Sequence, residues 1–293
     1  MYNAICFGEV LWDIFPTYKI IGGAPLNVAL RLHSFGVKTS MISRVGNDRN
    51  GNEILRYIND NLESTSTIQT DKVLTTGKVE VALDKNGAAL YDINYPVAWD
   101  KIEVTERNIN AVKSSDVFIF GSLACRDKVT RNTLETLLHY SSYKVLDVNL
   151  RPPFYTMELL LSLMKTSDFI KCNDDELNEI CVANDFQSNS IVEQINFLSQ
   201  LTNTKQICVT KGKHGAELLY NGDFFSNSGY PTKVVDTVGA GDSFLATLIS
   251  HLLRKANPND ALNYACAVGA LIAGKTGANP ILLDSEIEEK CNS

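Results

Sequence analysis

The stretch Asp236–Phe244, DTVGAGDSF, sets Gly-Ala-Gly directly before an acid. Leu245, Leu248, Ile249 and Leu252 then recur at helical spacing, and Lys255 with Asn257-Pro258 closes the segment. The glycines therefore stand at a helix N-terminus, where free backbone N–H groups and the positive end of the dipole attract an anion. Small residues let a phosphate approach the backbone. Asp242 falls in the first turn beside that anion site. An acid there repels a bound phosphate, so it suits a group that takes a proton from whatever attacks the phosphate. An ordinary first-turn acid at a helix cap is the other reading of the same residue.

A second glycine cluster, GGAPLN (Gly22–Asn27), leads into a helix expected over Asn27–Phe35. It reads either as a close backbone approach to a ligand or as a tight turn with Pro near a helix start. GALIAGKT (Gly269–Thr276) matches the P-loop pattern to the letter, yet it lies in and just past an Ala-rich helical stretch, Ala261–Ala273. A P-loop lysine opens a helix, and none starts after Lys275, so the match is assigned to chance. No G-x-G-x-x-G follows the first strand.

The elements that would carry these groups alternate. Ala4–Val10, Asp116–Ser122, Lys144–Leu150, Asp168–Asn173 and Gln206–Gly212 are short, nearly continuous apolar runs, as parallel strands buried on both faces are. Helical stretches such as Arg131–Tyr140 and Met157–Thr166 lie between them. This βαβ rhythm predicts an α/β fold, a mostly parallel central sheet covered by helices on both faces. Gly77–Asn94 reads as a hairpin turning at Asn86-Gly87, and Trp12–Ile21 is extended and short. Together they predict a small antiparallel sheet, a lid formed by about residues 11–21 and 77–99 on a single domain spanning 1–293. Polar residues gather at the carboxyl ends of the main strands, where such sheets bind ligands: Glu9 and Asp13, Asn149 and Arg151, Asn173 and Glu176, Thr210 and Gly212.

The 293 residues are 44% hydrophobic and 21% charged, as in an ordinary globular protein, and the net charge of −7 argues against a general nucleic-acid binder. Any phosphate site must therefore be built locally. No signal peptide and no membrane span are read, and seven scattered cysteines without a CxxC pair indicate neither disulfides nor zinc, which fits a reducing cytoplasm.

Gly22–Asp48 resembles the N-terminal signature of the PfkB, or ribokinase-like, carbohydrate kinases, and DTVGAGDSF resembles their C-terminal signature. NDDE (Asn173–Glu176) is similar to the family's N-x-x-E motif, VTKGKHG (Val209–Gly215) also fits, and the resemblance covers essentially the whole chain. FGEVLWDIFP, GGAPLN and DVNLRPPFY look most like fructokinases, although the segment from Asp13 to Gly22 is shorter than in many of them. The resemblance implies ATP and Mg²⁺, with Asp242 as general base toward a sugar hydroxymethyl and the amides of Gly239, Ala240 and Gly241 as anion hole. It implies Asp13, Gly22, Gly23, Asn27 and Arg151 at the sugar, and Thr210, Gly212, Gly215, Gly239, Gly241 and Cys266 at the nucleotide. Asn173 and Glu176 would help place Mg²⁺ and its waters, and Asp236, Val238 and Gly277 match a monovalent-cation (K⁺) region. A homodimer through the lid is implied as well. Fructose is the expected substrate. Ribose or 2-keto-3-deoxygluconate, with Arg126 or Arg151 for the acid's carboxylate, and a non-catalytic sugar sensor are the alternatives.

Overall fold

The computed structural model describes residues 2–62, 64–83 and 89–293. The chain opens with β1 (Asn3–Phe7), β2 (Leu11–Ile14), β3 (Lys19–Gly22), α1 (Ala24–Ser34), β4 (Lys38–Gly46), α2 (Arg49–Asn61), β5 (Ile68–Asp71), β6 (Gly77–Leu83) and β7 (Ala89–Ile93). It continues through α3 (Glu106–Lys113), β8 (Val117–Gly121), α4 (Lys128–Leu138), β9 (Lys144–Asp147), α5 (Met157–Lys165), β10 (Phe169–Asn173), α6 (Asp174–Ala183), α7 (Ile191–Thr202) and β11 (Gln206–Thr210). The last elements are β12 (Ala216–Tyr220), β13 (Asp223–Asn227), α8 (Ala240–Leu253), α9 (Pro258–Ala273) and α10 (Asp284–Cys291).

Among the described residues the strands form a nine-stranded sheet, β13-β12-β11-β10-β9-β8-β1-β4-β5, and a four-stranded one, β3-β2-β6-β7. The large sheet is parallel from β11 to β5, and only β12 and β13 run antiparallel at one edge. All five strands expected from apolar runs are present. Register explains why those runs were continuous. Phe7, Phe120, Leu146, Ile170 and Ile207 stand side by side on one face of the sheet, packed against helices α4 to α7. Their chain neighbours Cys6, Ile119, Val145 and Phe169 form the row on the opposite face, under α1, α8 and α9. With both faces covered, every strand position is selected for apolarity.

The small sheet differs from expectation in one respect. It is not antiparallel throughout, because its central pair β2 and β6 is parallel. Between them the chain passes through β3, α1, β4, α2 and β5, the long crossover that a parallel pair requires. β6 and β7 pair antiparallel as a hairpin should, and the Asn86-Gly87 turn lies outside the described residues. α1 starts three residues earlier than expected, at Ala24, since Pro25 is tolerated in a first turn. All seven cysteines are free, and six are buried. No helix among the described residues is long and apolar enough to cross a membrane.

The P-loop match resolves as the sequence argument requires. Gly269 lies within α9, Gly274 ends that helix, and Lys275 Nζ pairs with Glu286 at 2.7 Å.

The small sheet is tied to the large one by a buried cation. After β7, Asn94 and the 3-10 turn Ala98–Lys101 lead toward β8, and the Arg126 guanidinium sits between them. It donates from Nε and Nη2 to the two oxygens of Asp100 at 2.7 and 2.9 Å and lies 3.9 Å from the Trp99 ring centre. Phe154 and Tyr95 face it too. Removing one partner of a fully buried pair strands the other charge. Arg126→Met should therefore lower stability by about 3–5 kcal/mol in denaturant unfolding. Combining it with Asp100→Asn should recover much of that loss. A single variant as stable as the wild type would show that the pair is dispensable.

Candidate active site

The site forms where two helices begin. α1 and α8 pack side by side against the same face of the large sheet, and both start at its carboxyl edge. Each is entered through a glycine that no other residue replaces without strain. Gly23 has φ +113°, and a Cβ there would lie 2.5 Å from the Glu9 carbonyl. Gly239 has φ +75°, and a Cβ would lie 2.6 Å from the backbone of Ala278.

Asp242 does not cap its helix. No side chain caps the N-terminus of α8; instead Asp242 Oδ2 accepts a hydrogen bond from Asn27 Nδ2 at 2.8 Å. The Asn27 amide is itself fixed, because its Oδ1 accepts from Asn279 Nδ2 at 2.8 Å. Below this contact Arg31, which is buried, donates to Ser243 Oγ and to the Pro280 carbonyl, clamping the two helices. Burial pushes the Asp242 carboxyl up to about 6; the Asp147 charge adds to the shift, while Asn27, Lys171 and Arg151 oppose it. The dipole of α8 taken alone would favour the ionised acid. At pH 7 the group is still mostly ionised, and it lies close enough to neutrality to accept a proton.

Other acids share the cavity. Asp13, on β2, is pushed up to about 6, first by burial, with Arg151 opposing. Its Oδ2 rests against Gly22 so closely that a Cβ there would lie 2.3 Å away. Glu9 is buried, is pushed up to about 7 by that burial, and leaves Oε2 without a hydrogen-bond partner. The Arg151 guanidinium is exposed, donates one N–H to the Leu150 carbonyl, and lowers the pKa of all three acids.

At the ends of β9 and β10, Asn173 and Glu176 form a reciprocal cap on α6. Glu176 Oε1 accepts from the Leu150 N–H and Oε2 from the Asn173 N–H, so this acid also fixes the exit of β9. Asp147 and Lys171 are opposite one another in the β9–β10 register and join at 3.0 Å. Both are buried, and Asp147 Oδ2 has no hydrogen-bond partner. Of these oxygens Asp147 Oδ2 alone is left without a hydrogen bond, and it is a carboxylate oxygen of the kind a hard cation prefers. No cluster of three His, Cys, Asp or Glu among the described residues makes a metal cage by itself.

Beside the start of α8 lies a cavity of ≈ 650 Å³. Thr210, Gly212, Gly215, Gly241 and Cys266, expected at the nucleotide, line it. Gly239 does not; it sits behind, against Ala278. Cys266, Gly269, Ala270 and Ala273 form its wall from one face of α9, so the chance P-loop match contributes small helical side chains rather than a phosphate loop. Of the three anion-hole amides expected, Ala240 N–H already closes a turn onto the Thr237 carbonyl at 3.2 Å. The Gly239 and Gly241 amides carry no such bond. Asp236 joins the remaining pair: Oδ1 accepts from Val238 N–H and Oδ2 from Gly277 N–H.

Reading from the sequence missed Lys171, Asp147 and Asn279. Lys171 had a visible signal, a lysine inside the apolar strand FIKCN with Ile170 and Cys172 buried on either side of it.

Comparisons with known proteins place the chain in a family. Fructokinase-2 of Solanum lycopersicum is 27% identical over 95% of this chain and 92% of its own length. The fructokinase of Solanum tuberosum is likewise 27% identical, over 95% and 92%. Among solved structures, a sugar kinase of Pyrococcus horikoshii superposes with a TM-score of 0.83 at 26% identity, covering 99% of both chains. A double mutant of the Vibrio cholerae fructokinase, solved with fructose, ADP and potassium ion, gives 0.85 at 22% identity over 99% and 98%, a likeness of fold. The pfkB carbohydrate kinase model matches residues 6–284. The chain belongs to the pfkB family of carbohydrate kinases, enzymes that transfer a phosphoryl group to an alcohol of a sugar.

Proposed function

We propose that the protein is an ATP-dependent fructokinase. The observation that carries the reading is the Asp242 carboxylate, withheld from capping by Asn27 between the ≈ 650 Å³ cavity and the polar cluster of Asp13 and Arg151. ATP lies in the cavity, bordered by Thr210, Gly212, Gly215 and Cys266, with its γ-phosphate at Gly241. The sugar lies against Asp13, Gly22, Gly23, Asn27 and Arg151, under the small sheet as a lid. Asp242 takes the hydroxymethyl proton as the oxygen attacks, and the Gly239 and Gly241 amides with the dipole of α8 stabilise the charge on the phosphoryl group in transit. Asn173 and Glu176 would help hold Mg²⁺, which would supply screening of the β- and γ-phosphate charge. A K⁺ ion near Asp236, Val238 and Gly277 fits the loop that backs the anion hole.

A neutral sugar suits this site better than a sugar acid. Glu9, Asp13 and Asp242 surround the acceptor position, and Arg126 is paired with Asp100 among three aromatic rings, with Nη1 left unpartnered. Arg151 is the exposed cation beside these acids that could meet a carboxylate. Ribose and 2-keto-3-deoxygluconate are therefore the competing substrates to test. The free thiols suit the cytoplasm, and a homodimer would use the edges of the small sheet, β3 and β7.

Coupled ADP release over a panel of sugars should give D-fructose the highest kcat/KM, and Asp13→Ala should lower that value by roughly 10–100-fold, the worth of a hydrogen bond to a charged acceptor. Faster turnover of ribose or of the keto acid would replace the substrate while leaving the kinase.

Asp242→Asn should lower kcat by about 10²–10⁴. The same change should not destabilise the fold. The folded-state pKa lies above the ordinary 3.8, so the group favours folding when protonated, and its charge opposes folding above pH about 6. The variant should thus melt at or above the wild-type Tm at pH 7.5, with the gap closing as the pH falls toward 4. Near-normal kcat would reduce Asp242 to a helix-start acid.

Lys275→Ala should leave kcat within a few-fold of wild type, since Lys275 is spent on Glu286 beyond the end of α9. A crippled but folded variant would revive the P-loop reading.

A further inference from the structure

A second cavity, of ≈ 290 Å³, opens between the starts of α4 and α5 and shares no lining residue with the larger one. None of Asp13, Asn27, Arg151 or Asp242 lines it, so it is also separate from the acceptor cluster. Tyr95, Phe154, Tyr155 and Leu159 give it aromatic and apolar walls, and Arg126 and Arg131 give it two cations. No acid is among the residues that line it, although the chain carries a net charge of −7. Thr156, the N-cap of α5, borders it too, so the positive end of that helix lies at the same space.

Neither guanidinium is fully bonded. Arg126 turns its Nε–Nη2 edge to Asp100, and its side chain is 2% exposed. Nη1, on the edge away from Asp100, is buried and has no hydrogen-bond partner. Tyr95 and Phe154, whose rings lie 5.1 and 4.7 Å from that guanidinium, are walls of the cavity, whereas Asp100 is not. The unbonded edge is therefore the one on the cavity side. Tyr95 is 56% exposed and is the wall a ligand would displace to reach it. Arg131 donates from Nε to the Cys125 carbonyl, and its two Nη groups make no hydrogen bond or ion pair among the described residues. A buried donor on a charged group is costly when unbonded, and ring faces offset only part of that cost.

We propose that this cavity binds a small organic acid, whose carboxylate takes hydrogen bonds from Arg126 Nη1 and the Arg131 Nη groups while its flat apolar body lies between Phe154, Tyr155 and Leu159. The volume is at the lower end of the range usual for ligand pockets, about 300–1,000 Å³, which limits the occupant to a small molecule. Charge selects the anion. Asp100 already neutralises Arg126, so Arg131 leaves a single positive charge, which matches a monovalent carboxylate better than a dianionic phosphate monoester. Planar guanidinium forks suit a planar carboxylate as well. Arg126 Nη2 also holds the Asn94 carbonyl just past β7, so an acid seated here bears on the joint between the two sheets.

Benzoate is the probe, titrated calorimetrically into the full chain in saturating ADP, with benzyl alcohol and inorganic phosphate as controls. Benzoate should bind at a single site with a Kd of about 1 mM, as suits a ligand of its size. Benzyl alcohol, the same ring without the charge, should bind about tenfold more weakly. Arg131→Met should weaken benzoate about tenfold, the loss of one charge-assisted hydrogen bond. Arg131→Lys, which keeps the charge and loses the planar fork, should give an intermediate affinity and serves if the Met variant does not fold. Benzoate that does not bind, or that binds the Arg131 variants as tightly as the wild type, overturns the proposal and leaves Nη1 to the aromatic rings alone. Inorganic phosphate binding more tightly than benzoate overturns the carboxylate assignment. A chain that binds benzoate in an Arg131-dependent way but binds no ADP fails the kinase reading and upholds this site.

Discussion

Everything at this site depends on the packing of α1 against α8. The two helices start at the same sheet edge, and the Asn27–Asp242 hydrogen bond joins their first turns across 215 residues of sequence. An acid in the first turn of a helix would ordinarily satisfy orphan N–H groups of that helix. Asn27 draws it away, and Asn279 fixes the Asn27 amide from the other side. The N-cap of α8 is Gly239, which has no side chain, so the Gly239 and Gly241 N–H groups are left to an anion, and the carboxylate is left to chemistry. Arg31, buried beneath and bonded to Ser243 and Pro280, makes the helix pair and the loop before α10 one unit.

That arrangement concentrates negative charge. Glu9, Asp13, Asp147, Glu176 and Asp242 converge on a site that is proposed to bind a polyanion. Burial raises the pKa of Glu9, Asp13, Glu176 and Asp242, which keeps these carboxyls closer to neutrality than surface acids are. Two cations offset the rest. Arg151 does so from the exposed side and Lys171 from within the sheet. Such clustering of perturbed acids opposes stability and favours reactivity, the trade expected of an enzyme site.

Much of this was legible in the sequence because the parallel sheet is buried on both faces. Strands such as VFIFG and QICVT read as unbroken apolar runs, and their order with the intervening helices gave the architecture. The glycine clusters were legible because positive φ and close backbone contact leave Gly23 and Gly239 no substitute. What was hidden depends on register and long-range pairing. Nothing local says that Lys171 faces Asp147, that Asn279 reaches Asn27, or that β2 lies parallel to β6. The edge strands β12 and β13 lacked a continuous apolar run because β13 is partly exposed, so the antiparallel rim of the sheet was not foreseen. Ala240 was assigned a free amide because a turn bond to Thr237 has no sequence signature.

The central claim is that burial poises Asp242 near neutrality as a base while Asn27 holds it in place. Single-turnover phosphoryl transfer to fructose, followed by rapid quench across pH 5 to 8, tests it in the wild type and in Asn27→Leu. The account predicts that the wild-type rate falls on the acid side with a midpoint of about 6. In Asn27→Leu, which removes a hydrogen bond to the charged form, that midpoint should move to higher pH and the rate at pH 6 should drop further. A rate independent of pH over this range in both proteins, or an acid limb unmoved by the loss of Asn27, would contradict it.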